Sequence, residues 1–407
     1  MPESRSGLQW KVLVSLSAFV FSAAQVIWIA LFPFLAEKLE LSLSTVIASF
    51  GWGSFLFVFG SPYWAAKSDV HGCDKILSLG IAALLISFAL LVFLVASPFD
   101  SAAKNFAFLL LSRTIYGLIA SAIVPVAQAI QADMEDRDSV AKAMATHSIS
   151  LGLGRVAGLT LLVFSLDERF VENLLFIVLA VLGGTFLLSV NLGRKLPSRP
   201  TAAGEKAVLL RSWTAELGDI KYVVLIAFLF AAFVEAVNSS LAGRLQSLFQ
   251  IDGLAAAQWS AKMLMAASVG IVLVQFLYRL LARREKRSLP VALVVGVAAL
   301  FFGSVFFATA GAASQFYVAI ALFVVGIGLI PPVYLSLLRA NSGHSRGGRR
   351  AGIVGSAQTL GYAFGTGLSA VTFRSGTLDA GHVLCLIVLG LAAACVLQKR
   401  EKKAASV

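Results

Sequence analysis

Three ionisable side chains lie within runs that are otherwise oil-like. Arg113 sits in "FLLLSRTIYG" (108–117), Arg155 in "SISLGLGRVAGLTLLVF" (148–164) and Glu235 in "FVEAVNSS" (233–240). A guanidinium stays protonated and can grip a carboxylate or similar oxyanion with two parallel hydrogen bonds. A lone carboxyl group can titrate, because desolvation raises its pKa while nearby cations lower it. Two arginines and one glutamate around a shared cavity would let an anionic substrate and a proton compete for one site. The other reading of the same residues is a fixed Arg–Glu pair that braces the chain. His147 is a fourth ionisable group, two turns before Arg155.

Neutral polar residues on other segments are candidates to line the same cavity: Gln25, Asn238, Gln358 and Tyr362, with Ser239, Gln246 and Gln275 beside them. For any one of these, a hydrogen bond between helices is an equal reading. Trp28, Trp52 and Tyr116 could stack on a ring or simply pack.

The elements that must carry these groups follow from composition. Of 407 residues, 58% are hydrophobic and 13% charged, against roughly 25% charged in a soluble domain. The apolar residues gather in blocks long enough to cross a hydrocarbon core of about 30 Å as helices, and lipid offers no partner to an unpaired backbone group. The chain therefore reads as an all-α integral membrane protein. Twelve spans are expected near 11–35, 43–66, 76–97, 104–131, 140–165, 172–192, 221–248, 259–281, 289–311, 315–338, 350–373 and 382–398. The first 25 residues have the layout of a signal peptide, but the apolar run continues through "VIWIALFPFL", so an uncleaved first span is expected. Counted along these spans, Arg113 lies roughly 14 Å from one face, Arg155 roughly 15 Å from the same face, and Glu235 roughly 21 Å from the opposite one. All three fall near the midplane.

The net charge of +12 is topogenic rather than a nucleic-acid signal. Basic residues crowd the tails and alternate loops: 283–287, 346–350, 399–403, Arg194, Lys195, Arg199, Lys206 and Arg211. The opposite loops carry few, such as Lys38, Lys104 and Arg169. The bias places both termini in the cytoplasm. Cys73, Cys385 and Cys395 have no spacing that implies a disulfide frame or a metal site.

The halves resemble each other. At a single offset of 209 residues Gly117 matches Gly326, Leu151-Gly152 matches Leu360-Gly361, Gly158-Leu159 matches Gly367-Leu368, and Phe164 matches Phe373. A duplicated six-helix unit around a midplane site is a transporter architecture. The expected organisation is a bundle over 1–192, a cytoplasmic linker over 193–220 and a second bundle over 221–407. Pro125 and Pro331-Pro332 are expected to break backbone bonds in spans four and ten.

Two motifs carry a family resemblance. After span two, "PYWAAKSDVHGCDK" holds Pro62, Asp69, Gly72 and Lys75, similar to a loop of the form G-x-x-x-D-R-x-G-R-R, though Ala65 and Val70 stand where that pattern has glycine and arginine. Span four holds Leu109, Arg113, Gly117 and Ala120 in the pattern L-x-x-x-R-x-x-x-G-x-x-A. In span five Gly154-Arg155, with Gly158 after it, partly matches a glycine-proline antiporter signature. The chain resembles a major facilitator superfamily transporter of the twelve-span proton-coupled antiporter type. The resemblance implies two six-helix pseudo-repeats around a central cavity, proton coupling at Arg113, and a gating role for Asp69, Gly72 and Lys75.

No Walker loop or HExxH appears, so no enzyme is expected and no cofactor is implied. The expected partners are protons, a small organic molecule and the lipid bilayer, with no nucleic acid and no metal, for a monomer in a bacterial inner membrane. The expected cargo is an anionic or amphiphilic drug, secondary metabolite or siderophore, exported by alternating access. Import of an organic acid or siderophore, and a transporter-like sensor that moves nothing, are the alternatives.

Overall fold

A computed structural model describes residues 5–133, 140–164, 167–193, 206–282, 288–340, 347–375 and 380–404. The side chains of the basic clusters named above, from 283–287 to 399–403, lie outside the described residues, as does that of Asp69. Among the described residues the structure is helical throughout, with no strand.

The first half contains α1 (Arg5–Ala30), α2 (Phe32–Lys38), α3 (Leu43–His71), α4 (Cys73–Ala96), α5 (Ala102–Leu118), α6 (Ile123–Asp133), α7 (Val140–Val163) and α8 (Glu168–Gly193). The second contains α9 (Lys206–Phe249), α10 (Gly253–Ala282), α11 (Ser288–Thr309), α12 (Ala313–Ala340), α13 (Gly347–Ser375) and α14 (Ala380–Ala404). Taking α1 with α2 and α5 with α6, these make twelve long elements. Ten of them are long and apolar enough to cross a membrane. The others are α7, whose apolar stretch is Ile149–Val163, and α13, rich in glycine, serine and threonine. A helix with a polar stripe in a membrane protein faces protein or a cavity rather than lipid on that side.

Local chemistry sets the ends and breaks. Ser42 caps α3 by accepting from the Thr45 N–H at 3.2 Å. The first span is not the continuous helix its hydropathy suggests: it breaks at Leu31, because Pro33 in the first turn of α2 has no N–H to give to the preceding turn. The fourth span breaks too, passing through a 3-10 turn at Ala120–Ala122, one turn before Pro125, where a proline ring crowds the carbonyl four residues back. The tenth departs from the sequence expectation, since α12 runs unbroken through Pro331 and Pro332. Helix α9 starts at Lys206, within the segment 193–220 expected as linker.

Two compact units emerge, one of Met1–Ala203 with Leu245–Lys262, the other of Gly204–Arg244 with Met263–Val407. Their internal packing is the same. In the first, α7 crosses α1 with Gly154 pressed on the Phe19 carbonyl and Gly158 on that of Ala23. In the second, α13 crosses α9 with Gly361 on the Phe228 carbonyl and Gly365 on that of Ala232. Likewise α4 packs on α8 and α11 on α14.

These crossings confirm the repeat but revise its register. The offset of 209 holds for the first helices, where Phe19 corresponds to Phe228 and Ala23 to Ala232. In the fifth helices it is 207, pairing Gly154 with Gly361 and Gly158 with Gly365. Gly152 and Gly367, matched by residue identity alone, face open space. In the fourth helices Gly117 packs on α3 at Gly53 and Leu56, whereas Gly326, matched to it by residue identity, packs on α11 at Leu300 and Gly296. Two residues turn a helix by about 200°, so a slip of two presents the opposite face.

The revised register yields a test. Gly154→Leu and Gly361→Leu should each destabilise the protein by about 1–3 kcal/mol, since the added side chain meets backbone that cannot yield. Gly152→Ala and Gly367→Ala should leave the melting temperature in detergent unchanged or slightly raised, as alanine is the better helix former.

Candidate functional site

In the first unit the site is built around Arg113. Helix α5 carries it beside α4, to which it is bolted by reciprocal bonds: Ser87 Oγ donates to the Ser112 carbonyl at 2.9 Å and Ser112 Oγ to the Ser87 carbonyl at 2.8 Å. Arg113 is 2% exposed. Its guanidinium lies between two rings, Phe50 from α3 and Tyr116 from its own helix, 4.1 Å from each centroid. Positions three apart share a helix face, so the 113/116 spacing itself puts the phenol over the cation. Each such contact, desolvated, contributes about 2 kcal/mol.

The edge of the guanidinium is less well served than its faces. Nη2 donates to Gln25 Oε1 of α1 at a long 3.4 Å, and Gln25 Nε2 donates to the Tyr116 hydroxyl at 2.5 Å. Nε is buried without a hydrogen-bond partner. The backbone of Gly53 on α3 lies against that edge, and a side chain there would come within 3.3 Å of Nε. Among the described residues no carboxylate pairs with Arg113. Phe21 stacks on Tyr116 with centroids 5.9 Å apart, and Phe57 packs at 5.8 Å. The result is a permanent positive charge in an aromatic shell, balanced by no carboxylate among the described residues.

The other first-unit candidates lie on α7. Arg155 is half-buried and follows Gly154, so the glycine contact with Phe19 fixes its height on α1. His147 is 1% exposed, and neither ring nitrogen has a hydrogen-bond partner.

The second unit holds Glu235 on α9, half-buried, with Asn238 Nδ2 donating to its Oε2 at 3.4 Å. One turn of α9 is tied to α13 at this level, where Ser369 Oγ donates to the Ala236 carbonyl at 3.2 Å. Gln358 of α13 donates to the buried Tyr334 hydroxyl of α12 at 2.5 Å. Tyr362, one turn further along, is 38% exposed. By the 207-residue register Tyr362 stands where Arg155 stands in the first unit. Each unit thus carries a glutamine that donates to a buried tyrosine, Gln25 to Tyr116 and Gln358 to Tyr334.

The structure therefore joins Arg113 with Gln25 and Glu235 with Asn238. The two arginines and the glutamate belong to different units. Phe50, Gly53 and the Ser87–Ser112 pair were not singled out from the sequence. Only the 113/116 spacing signalled the shell in advance.

In the expected gating motif, Gly72 has φ +95 and joins α3 directly to α4. A side chain there would be strained by that angle and would meet Asp74 Oδ1 at 2.6 Å. Lys75 is exposed.

No curated protein matches the chain in sequence. Among solved structures, the chain is similar to the nucleoside transporter NupG, at 13% identity and a TM-score of 0.66 over 97% of this chain and 100% of that one. It is similar to a D-xylose–proton symporter, at 14% identity and 0.70 over 95% and 96%. It is also similar to the human organic anion transporter MFSD10 (TETRAN), at 18% identity and 0.62 over 97% and 99%. At such identities the likeness is one of fold. A family model for the Major Facilitator Superfamily matches residues 13–366. With that match spanning most of its length, this multi-pass membrane chain belongs to the major facilitator superfamily and is a transporter rather than an enzyme.

Proposed function

We propose that the protein is a proton-coupled secondary transporter that exports a small anionic or amphiphilic organic molecule by alternating access. The observation that carries this reading is Arg113: a buried guanidinium held between two rings and, among the described residues, paired with no carboxylate. A cation held in apolar surroundings at a cost of several kcal/mol is retained where it does work on an anion. Arg155 adds a second positive charge to the same unit, and Glu235 supplies the titrating carboxyl group in the other. Substrate charge is thus recognised in one unit and the proton is carried in the other. Resemblance in fold to a transporter named for organic anions and to one named as a proton symporter supports both parts. We further assign the chain to a bacterial inner membrane, as a monomer; the distribution of lysine and arginine supports placing both termini in the cytoplasm.

Purified protein in proteoliposomes with an imposed pH gradient tests the reading, with flux followed for aromatic carboxylates against quaternary ammonium compounds. Anions should move and cations should not. Cation flux, or binding of anions with no flux at all, would replace this reading with that of a drug-cation pump or of a sensor.

Two substitutions separate the roles. Glu235→Gln should abolish pH-driven flux while leaving anion binding within about threefold, because the amide keeps the shape but cannot take a proton. Unaltered pH dependence would remove Glu235 from the coupling step. Arg113→Lys should weaken anion binding about tenfold or more, since an ammonium has neither the planar fork nor the stacking faces. Isothermal calorimetry on both variants reads the difference.

A further inference from the structure

The seam between α7 and α1 in the first unit continues past its two glycines to an ionisable side chain. Seen down α7, His147 falls between Gly154 and Gly158, within about 20° of each, and lies about 10 Å nearer the start of the helix than Gly154. The three form one stripe, and the glycines place that stripe on the carbonyls of Phe19 and Ala23 in α1. Both glycine contacts run in the same parallel register, which sets His147 level with Val12. At the glycines the two backbones touch. At His147 an imidazole stands on the same line.

The side chain is sealed there. His147 is 1% exposed, and Nδ1 and Nε2 are both buried with no hydrogen-bond partner. A neutral imidazole carries one donor and one acceptor, and burying them unpaired costs free energy that an apolar side chain would not. The second unit shows the alternative. By the 207-residue register the matching position on α13 is Val354, which is 2% exposed. A buried aliphatic group fills that place in the stripe, so the crossing itself does not call for a histidine.

Charging the imidazole costs more. Helix α7 packs on α1 and α6, and among the described residues neither brings an acidic side chain to this level. Lys11 of α1, half-buried and next to Val12, is a like charge. Arg155, another, stands two turns further along α7. The side chains of Arg5, Asp133 and Lys142 lie outside the described residues. Gln131 of α6 carries no charge, and its own Oε1 is buried without a partner. An imidazolium in this seam holds two donors and no described partner, and it gains partners by meeting water.

We propose that His147 is a pH-sensitive wedge: neutral, it lies sealed in the α1–α7 seam, and on taking up a proton it parts the start of α7 from α1. The acidity at the membrane face where α7 begins then sets how firmly the helix that carries Arg155 is held. The change lies wholly within the first unit and does not depend on what the protein carries.

Amide hydrogen exchange in nanodiscs, corrected for the chemical effect of pH, reads the seam without a substrate. In the parent, the α7 amides ahead of Gly154 should exchange about tenfold faster at about pH 5.5 than at about pH 8, the factor expected when a group that ordinarily titrates at about 6.5 charges only in the parted seam. His147→Val copies the second unit, and His147→Gln keeps a polar side chain that cannot charge. Both variants should exchange equally at the two pH values. The α13 amides ahead of Gly361 are the internal reference and should not respond in any of the three proteins. Equal exchange at the two pH values in the parent, acceleration that persists in either variant, or a matching acceleration in α13 would overturn the wedge.

Discussion

The close approach of the fifth helix to the first in each unit is the constraint from which the rest follows. Lipid tails are as apolar as leucine, so helices in a bilayer associate through packing and small residues rather than through exclusion from water. Gly154 and Gly158 bring α7 onto the carbonyls of α1, and Gly361 and Gly365 bring α13 onto those of α9. That contact sets the height of Arg155 and Tyr362, the residues that directly follow the first glycine of each pair. It also leaves α1 and α9 little freedom to rotate. Gln25 and Glu235 are thereby held in fixed directions.

Arg113 shows how a charge survives in such surroundings with no ion pair among the described residues. Two aromatic faces offset part of the lost hydration, and the glutamine of α1 offers a weak bond to one edge. Compensation by rings differs from compensation by a carboxylate in one respect that matters for transport. A ring lowers the cost of burial without cancelling the field; a fixed carboxylate would have neutralised it. Gly53 is part of the same solution, because any larger residue would crowd the buried Nε, which has no hydrogen-bond partner.

Much of the fold was legible in composition and span length, since hydropathy reports directly on what a helix faces. The helices α7 and α13 were expected as spans like the rest, and glycine and polar residues set them apart from the ten more apolar ones. The register of the repeat was not legible, because Gly152 and Gly154 are the same letter, and only the backbone they meet tells them apart. Proline behaved unevenly for a similar reason. Pro33 and Pro125 interrupt their spans while Pro331 and Pro332 do not, and neighbouring helices decide whether a missing bond becomes a break. The candidates Arg113, Arg155 and Glu235 were found by their cost in a bilayer. Phe50 and the Ser87–Ser112 bolt, being ordinary residue types, carry no such signal.

The shifting offset between the halves has a historical meaning. Corresponding residues are 209 apart in the first helices and 207 in the fifth, so small insertions and deletions have accumulated in one copy or the other since they diverged. Each of these glycines nevertheless still abuts a neighbouring helix at the matching place. The two copies act as each other's ancestral record, and what they agree on is where backbones touch, not how many residues separate the touching points.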